Sequence, residues 1–237
     1  IIDGTGSDSF YGEIGIIEDI IVERGRNIGA SKNIYDAKGN TLCPGIIDTH
    51  THYDAQLTWD KIASPSLDLG VTTALIGNCG FTMAPCKPEH RDLNMLNLTK
   101  VEGMPYETLK EGIDWRYETY KEYLDLLDRK KLALNICSYI GHSAIRIWSM
   151  GRASMERKAN ENEIIEMEKI VRDAMNCGAI GFSTSTFEGH NGHGGLPMPS
   201  RMASNQEISR LVKAMAHQGR GLFMLTKSNN TSIENIE

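Results

Sequence analysis

No run of this 237-residue sequence is long and apolar enough to cross a bilayer. The longest purely apolar stretches, such as Gly221 to Leu225, fall far short of the roughly 20 residues that a membrane helix needs. Basic charge is also scarce: 25 Lys and Arg face 31 Asp and Glu, a formal net charge of -6. Neither nucleic acid nor an anionic membrane is therefore an expected partner. The five cysteines are odd in number and scattered, which excludes a tidy disulfide framework and makes a reducing, cytoplasmic setting the default reading. Low-complexity tracts and fixed-period repeats are missing too. What is present is 40% hydrophobic residues, enough at this length to bury a substantial core.

Two patterns succeed one another. Residues 1–44 alternate short apolar stretches, Ile14 to Ile17 and Ile20 to Val22, with Gly, Asp and Asn clusters, as small strands and turns do. From Pro44 the chain alternates strand and helix through residues 45–237, which predicts parallel strands joined by helical crossovers. The predicted strands are Gly45 to His50, Thr72 to Asn78, Leu132 to Gly141, Ala179 to Ser185 and Gly221 to Thr226. Each is nearly continuously apolar, as expected of strands covered on both faces. Glu163 to Cys177 and Gln206 to His217 carry apolar residues at helical spacing and close on Gly178 and Gly219. The charged, aromatic stretch from Arg91 to Lys131 reads as a helical, peripheral insert.

The chemistry concentrates at strand ends. In Pro44-Gly45-Ile46-Ile47-Asp48-Thr49-His50-Thr51-His52, an apolar strand ends in His-x-His, and side chains two apart on a strand share a face. Two imidazoles can then meet one ion; the plain alternative is a polar pair at a strand end. Cys79 ends the next strand in a Gly-rich turn, Gly77-Asn78-Cys79-Gly80, where a thiolate makes a strong zinc ligand. Cys43, Cys137 and Cys177, in apolar or helical settings, read as inert core residues. The Gly-rich run Gly189 to Gly195 lacks the Lys-Ser/Thr of a phosphate loop and reads as a mobile cover or connector.

Pro-Gly-x-x-Asp-x-His-x-His resembles the signature that ends the first barrel strand in the amidohydrolase superfamily. Within it, the chain resembles the N-acyl-D-amino-acid deacylases (D-aminoacylases). The matching segments are Ile2 to Gly6, His50 to Gln56, Gly70 to Thr73, Gly77 to Phe81, Val101 to Pro105 and Gly141 to Arg146. The resemblance implies a distorted TIM barrel, incomplete in this chain, preceded by part of a small β-sandwich domain. It also implies a zinc enzyme, with one or two ions, that hydrolyses the linear amide of a small N-acylated D-amino acid. His50, His52 and Cys79 are then the metal ligands. A proton-shuttling Asp and a further His are implied beyond Glu237, so the chain reads as the N-terminal part of a longer enzyme.

Three residues stay open. A metal-binding His is implied near Lys227, where Thr226-Lys227 stand instead. Lys227 is then a carboxylated ligand, a cation for the substrate carboxylate, or a solvated amine. His142 and Arg146 follow the third predicted strand close to the implied rim; Arg146 either clamps a substrate carboxylate or pairs on the surface. Two rival readings are a cyclic-amide hydrolase of the dihydroorotase or hydantoinase type, which the Gly-Asn-Cys-Gly turn disfavours, and a non-catalytic protein that keeps the fold.

Overall fold

The computed structural model describes residues 1–227, and its contacts divide into two units, Ile1–Ile46 and a second that begins at Ile47. In the first, β1 (Glu13–Ile17) and β2 (Ile20–Gly25) form an antiparallel hairpin with an irregularity between Gly15 and Ile16. Only Glu18 and Asp19 connect the strands, and Glu18 takes a left-handed φ of 58°, as the tight turns that match strand twist require.

The second unit alternates strands and helices: β3 (Ile46–Asp48), β4 (Val71–Ile76), α1 (Arg91–Glu102), α2 (Tyr106–Gly112), α3 (Tyr120–Lys130), β5 (Asn135–Gly141), α4 (His142–Met150), α5 (Glu161–Asn176), β6 (Gly181–Ser185), α6 (Asn205–Met215) and β7 (Leu222–Thr226). The sheet order is β3-β4-β5-β6-β7, and the pairs from β4 to β7 are parallel. Each strand lies beside its predecessor with no reversal. That is the winding of an α/β barrel rather than of a doubly wound sheet, whose order reverses at a switch point. β6 is buried along its whole length, whereas Ile46 and Ile47 of β3 and Leu222 and Phe223 of β7 are exposed. Continuous apolarity thus marks covered strands inside the sheet but not its two outer members.

The helices form where apolar spacing and capping agree. α5 buries Ile164, Met167, Val171, Ala174 and Met175, one stripe at helical spacing. Its first turn is closed by a capping box in which Asn160 accepts from the Glu163 amide while Glu163 accepts from the Asn160 amide. α3 begins with the same device at Thr119 and Glu122.

The stretch from Arg91 to Lys131 is helical but not peripheral. Tyr117, Tyr120 and Tyr123 lie in the main core. Their hydroxyls do not forbid burial because two of them find backbone acceptors: Tyr120 donates to the Ser138 carbonyl (3.0 Å) and Tyr123 to the Asp54 carbonyl (2.8 Å). The cysteine expectation also needs correction, since Cys43 is exposed and Cys137 and Cys177 are only partly covered. Cys86 is the buried thiol of this kind. Burial pushes its pKa up to about 11, against the bond donated by Asn94.

Asn160→Ala removes the cap of α5 and should lower stability by about 1 kcal/mol, a fall of roughly 2–4 °C in the thermal unfolding midpoint. An unchanged midpoint would mean that this helix end does not depend on its cap.

Candidate metal centre

His50 and His52 follow the carboxyl end of β3, and Cys79 follows that of β4, the edge where α/β sheets gather their sites. One ligand atom from each lies within 4.8 Å of the other two, and the Cys79 Sγ is 3.3 Å from His50 Nε2. Among the described residues this is the one such cluster of three metal-ligating groups. The imidazoles meet edge to face, with ring centroids 5.3 Å apart.

The thiol is aimed by an unusual turn. Gly77, Cys79 and Gly80 have φ of 77°, 57° and 80°, and a left-handed cysteine is uncommon enough to need support from its surroundings. Gly77 is obligatory there: a Cβ would lie 2.7 Å from both the Tyr139 carbonyl oxygen and Thr82 Cγ2.

The support comes from several strands. Asp54 Oδ2 accepts from the Gly77 amide at 3.0 Å, and Asn78 Nδ2 donates to the carbonyls of Thr51 (3.1 Å) and Leu75 (2.9 Å). From β6, the buried Ser183 hydroxyl accepts from the Gly80 amide (3.0 Å) and donates to the Gly77 carbonyl. From β7, Met224 Sδ accepts from the Cys79 amide (3.3 Å), and Thr226 Oγ1 donates to the Cys79 sulfur (3.2 Å).

The electrostatics suit a cation. Burial, then the charges of His50 and His190, depress the His52 pKa to about 4, so its ring is neutral near pH 7 and keeps a lone pair. Its Nδ1 is buried without a hydrogen-bond partner, a group that a metal would satisfy. Burial raises the Cys79 thiol, and the Thr226 hydroxyl opposes that by favouring the thiolate. Two imidazoles and a soft sulfur are a donor set that zinc accepts, so the residues fit the ion.

One neighbour lies in the run that the sequence marks only as a cover or connector. His190, on the loop after β6, packs against Phe81 (centroids 5.1 Å), which itself packs against His52 (5.8 Å). Burial lowers its pKa, with Arg201 and His50 adding to the effect. The loop that carries it is no loose cover. The His190 carbonyl accepts from the Met198 amide (3.2 Å) and Arg201 Nη1 (3.3 Å), and the Gly192 amide donates to Leu196 (2.7 Å). Only the Gly and His content of this stretch hinted at a role.

His142 and Arg146 make their polar contacts within the protein. Both are fully buried, and the acidic partner of Arg146 is Glu207 of α6. Arg146 Nη1 reaches both Glu207 oxygens at 2.5 and 2.6 Å, and its Nη2 donates to the carbonyls of Ser154 and Arg157. His142 bridges Glu207 Oε1 (2.9 Å) and Thr184 Oγ1 (2.7 Å). The expected pocket side chains are thus an internal ionic cluster, and the carboxylate that the arginine holds is the protein's own. Lys227 directly follows β7 and is exposed.

The sequence profile of the amidohydrolase family matches residues 33–227. A D-aminoacylase of Alcaligenes xylosoxydans xylosoxydans is 30% identical over 220 residues, 92% of this chain and 41% of that protein. An N-acyl-D-aspartate deacylase of the same organism is 30% identical over 188 residues, 79% and 35% of the two chains. Among solved structures, a D-aminoacylase studied for its binuclear metal centre aligns with a TM-score of 0.73 and 29% identity, over 93% of this chain and 42% of that one. The chain spans about two fifths of the length of the curated relatives it matches.

The ionic cluster sets an acid limit. Burial alone would raise the Glu207 pKa, but the hydrogen bonds and charges of His142 and Arg146 override it and hold it at about 2. Burial lowers that of His142, against the pull of Glu207. Both groups bind fewer protons folded than unfolded in acid, so their stabilisation is complete above pH 6.5, the ordinary His value, and falls with pH. His142 acts first; Glu207 follows between 4.5 and about 2. Glu207→Gln leaves Arg146 buried without its counter-charge and should cost about 3–5 kcal/mol. It should also flatten the loss below pH 4.5, as unfolding midpoints across pH would record. Wild-type stability in that variant would show that the cluster does not hold α4 to α6.

Proposed function

The chain belongs to the amidohydrolase family, and from that premise we propose that the intact protein is a zinc-dependent hydrolase of the linear amide in N-acyl-D-amino acids. The observation that carries this reading is the convergence of His50, His52 and Cys79 at neighbouring strand ends. The D-aminoacylase and the N-acyl-D-aspartate deacylase named above support the substrate class. The D-aminoacylase with a binuclear metal centre, described by one-metal activation and second-metal attenuation, supports the dependence on metal.

When bound, zinc supplies Lewis acidity, which polarises the scissile carbonyl and makes water nucleophilic near neutral pH. The chain's own residues prepare for it. His50 and His52 offer imidazole nitrogens, the Thr226 hydroxyl favours the Cys79 thiolate, and Ser183 with Asp54 fixes the turn that aims the sulfur. Phe81 and Met198 cluster with Cys79 as an apolar wall, which keeps bulk water from that side and strengthens charge interactions within the site. The proton-shuttling carboxylate that the family resemblance implies is assigned to sequence outside the described residues. Lys227 directly follows β7, and an amine at that edge would serve as a carbamate ligand or as a cation for the substrate carboxylate.

The intact protein should release the amino acid from N-acetyl-D-methionine and leave the L-enantiomer unhydrolysed. Cys79→Ala should lose both zinc, measured by elemental analysis, and turnover. Unchanged zinc stoichiometry with unchanged rate would remove Cys79 from the centre, and preference for the L-substrate would overturn the substrate class.

Lys227→Arg distinguishes two roles for this amine. A carbamate ligand cannot form on arginine, so activity would vanish and wild-type reconstitution would depend on bicarbonate. A cation for the substrate carboxylate would survive the exchange, with the change mainly in KM. Wild-type kinetics in Lys227→Ala would reject both.

A further inference from the structure

We propose that His190 is a neutral hydrogen-bond donor to the scissile carbonyl oxygen, fixed by Ser185 in the tautomer that carries its proton on Nε2. This deepens the hydrolase reading and rests on it. His190 approaches from the loop after β6, an element that supplies none of the three metal-ligating residues, and Phe81 touches both its ring and that of His52. Phe187 closes the other side edge to face, with centroids 5.2 Å apart. The backbone is pressed into place as well. Gly192 lies close to α1, where a Cβ would fall 2.3 Å from Asn97 Oδ1, so a larger residue there would have to displace the buried Asn97 side chain.

The tautomer follows from counting donors and acceptors. Ser185 is fully buried, and its Oγ has two partners among the described residues: the Phe187 amide at 3.2 Å and His190 Nδ1 at 2.7 Å. A buried hydroxyl places its proton on an acceptor. The Phe187 amide is itself a donor, so the acceptor is Nδ1. That nitrogen then holds the lone pair and Nε2 holds the ring proton. Among the described residues Nε2 has no hydrogen-bond partner, which leaves this N–H for a ligand.

The chemistry of that donor selects its target. A protonated Nε2 cannot ligate a metal, which excludes His190 as a fourth ligand in this tautomer. A permanent carboxylate is better met by a cation. A neutral N–H held between two phenyl rings contributes most where negative charge appears only during reaction, as on a carbonyl oxygen becoming tetrahedral. No bond to His190 forms or breaks; its proton stays on Nε2 while the hydrogen bond strengthens.

The test uses the metal-loaded intact protein. His190→Ala should lower kcat by roughly 10²–10³-fold while KM and zinc content stay near wild type. His190→Gln, whose side-chain amide donates from a similar position, should recover part of that loss. Independently of turnover, two-bond proton–nitrogen correlation spectra of protein labelled with ¹⁵N-histidine should show His190 as the Nε2–H tautomer, and Ser185→Ala should erase that preference. An Nδ1–H tautomer in the wild type would overturn the proposal. So would zinc lost in His190→Ala, a defect confined to KM, or unchanged kcat. A wild type that hydrolyses no amide would overturn the hydrolase reading and the oxyanion role with it, leaving the tautomer as a separate, spectroscopic result.

Discussion

The arrangement depends on holding a cysteine in a left-handed turn. Cys79 at φ 57° is costly by itself, of order 1–3 kcal/mol. It persists because Thr51 and Asp54 beyond β3, Leu75 in β4, Ser183 in β6, and Met224 and Thr226 in β7 each bond the turn or the sulfur. These ties exist only if the strands assemble in sequential order. The thiol's direction is thus a tertiary property, although its carrier is a four-residue loop. The same ties exclude a floppy thiol, whose ordering entropy would oppose metal binding.

Around this turn the structure separates two polar layers. At the carboxyl edge lie groups with unused capacity: the His52 Nδ1, the His190 Nε2 and the Cys79 sulfur. Deeper lies the Glu207, Arg146 and His142 cluster, whose side chains are fully buried. The two layers touch at β6, where Ser183 serves the turn while Thr184 serves His142. Adjacent residues on a strand point to opposite faces, so one short segment supports the site on one side and the cluster on the other.

The alternation of β4 to β7 with helices was legible because parallel strands, whether covered like β6 or at the sheet edge like β7, are written as nearly continuous apolar runs, and so was the strand-end placement of His50, His52 and Cys79. Other features were not. Arg146 finds Glu207 61 residues away, a pairing with no local signature; a clamp for a ligand and a clamp for an internal carboxylate look alike in sequence. Tyr117, Tyr120 and Tyr123 read as surface aromatics because charge surrounds them, yet the amphipathic face of α3 buries Tyr120 and Tyr123, and Tyr117 packs edge to face on Tyr123. His190 sits in a Gly-rich stretch that packs on Phe81 and α1, contacts across the fold, as well as on nearby Phe187.

The buried cluster also bears on how this protein can vary. Glu207, Arg146, His142 and Thr184 form one chain of hydrogen bonds among fully buried side chains. Removing the polar group of one member leaves its neighbours buried without a partner, a cost that a joint exchange to apolar side chains would avoid. Side chains on the open edge, whose polar groups can meet solvent, face no such demand.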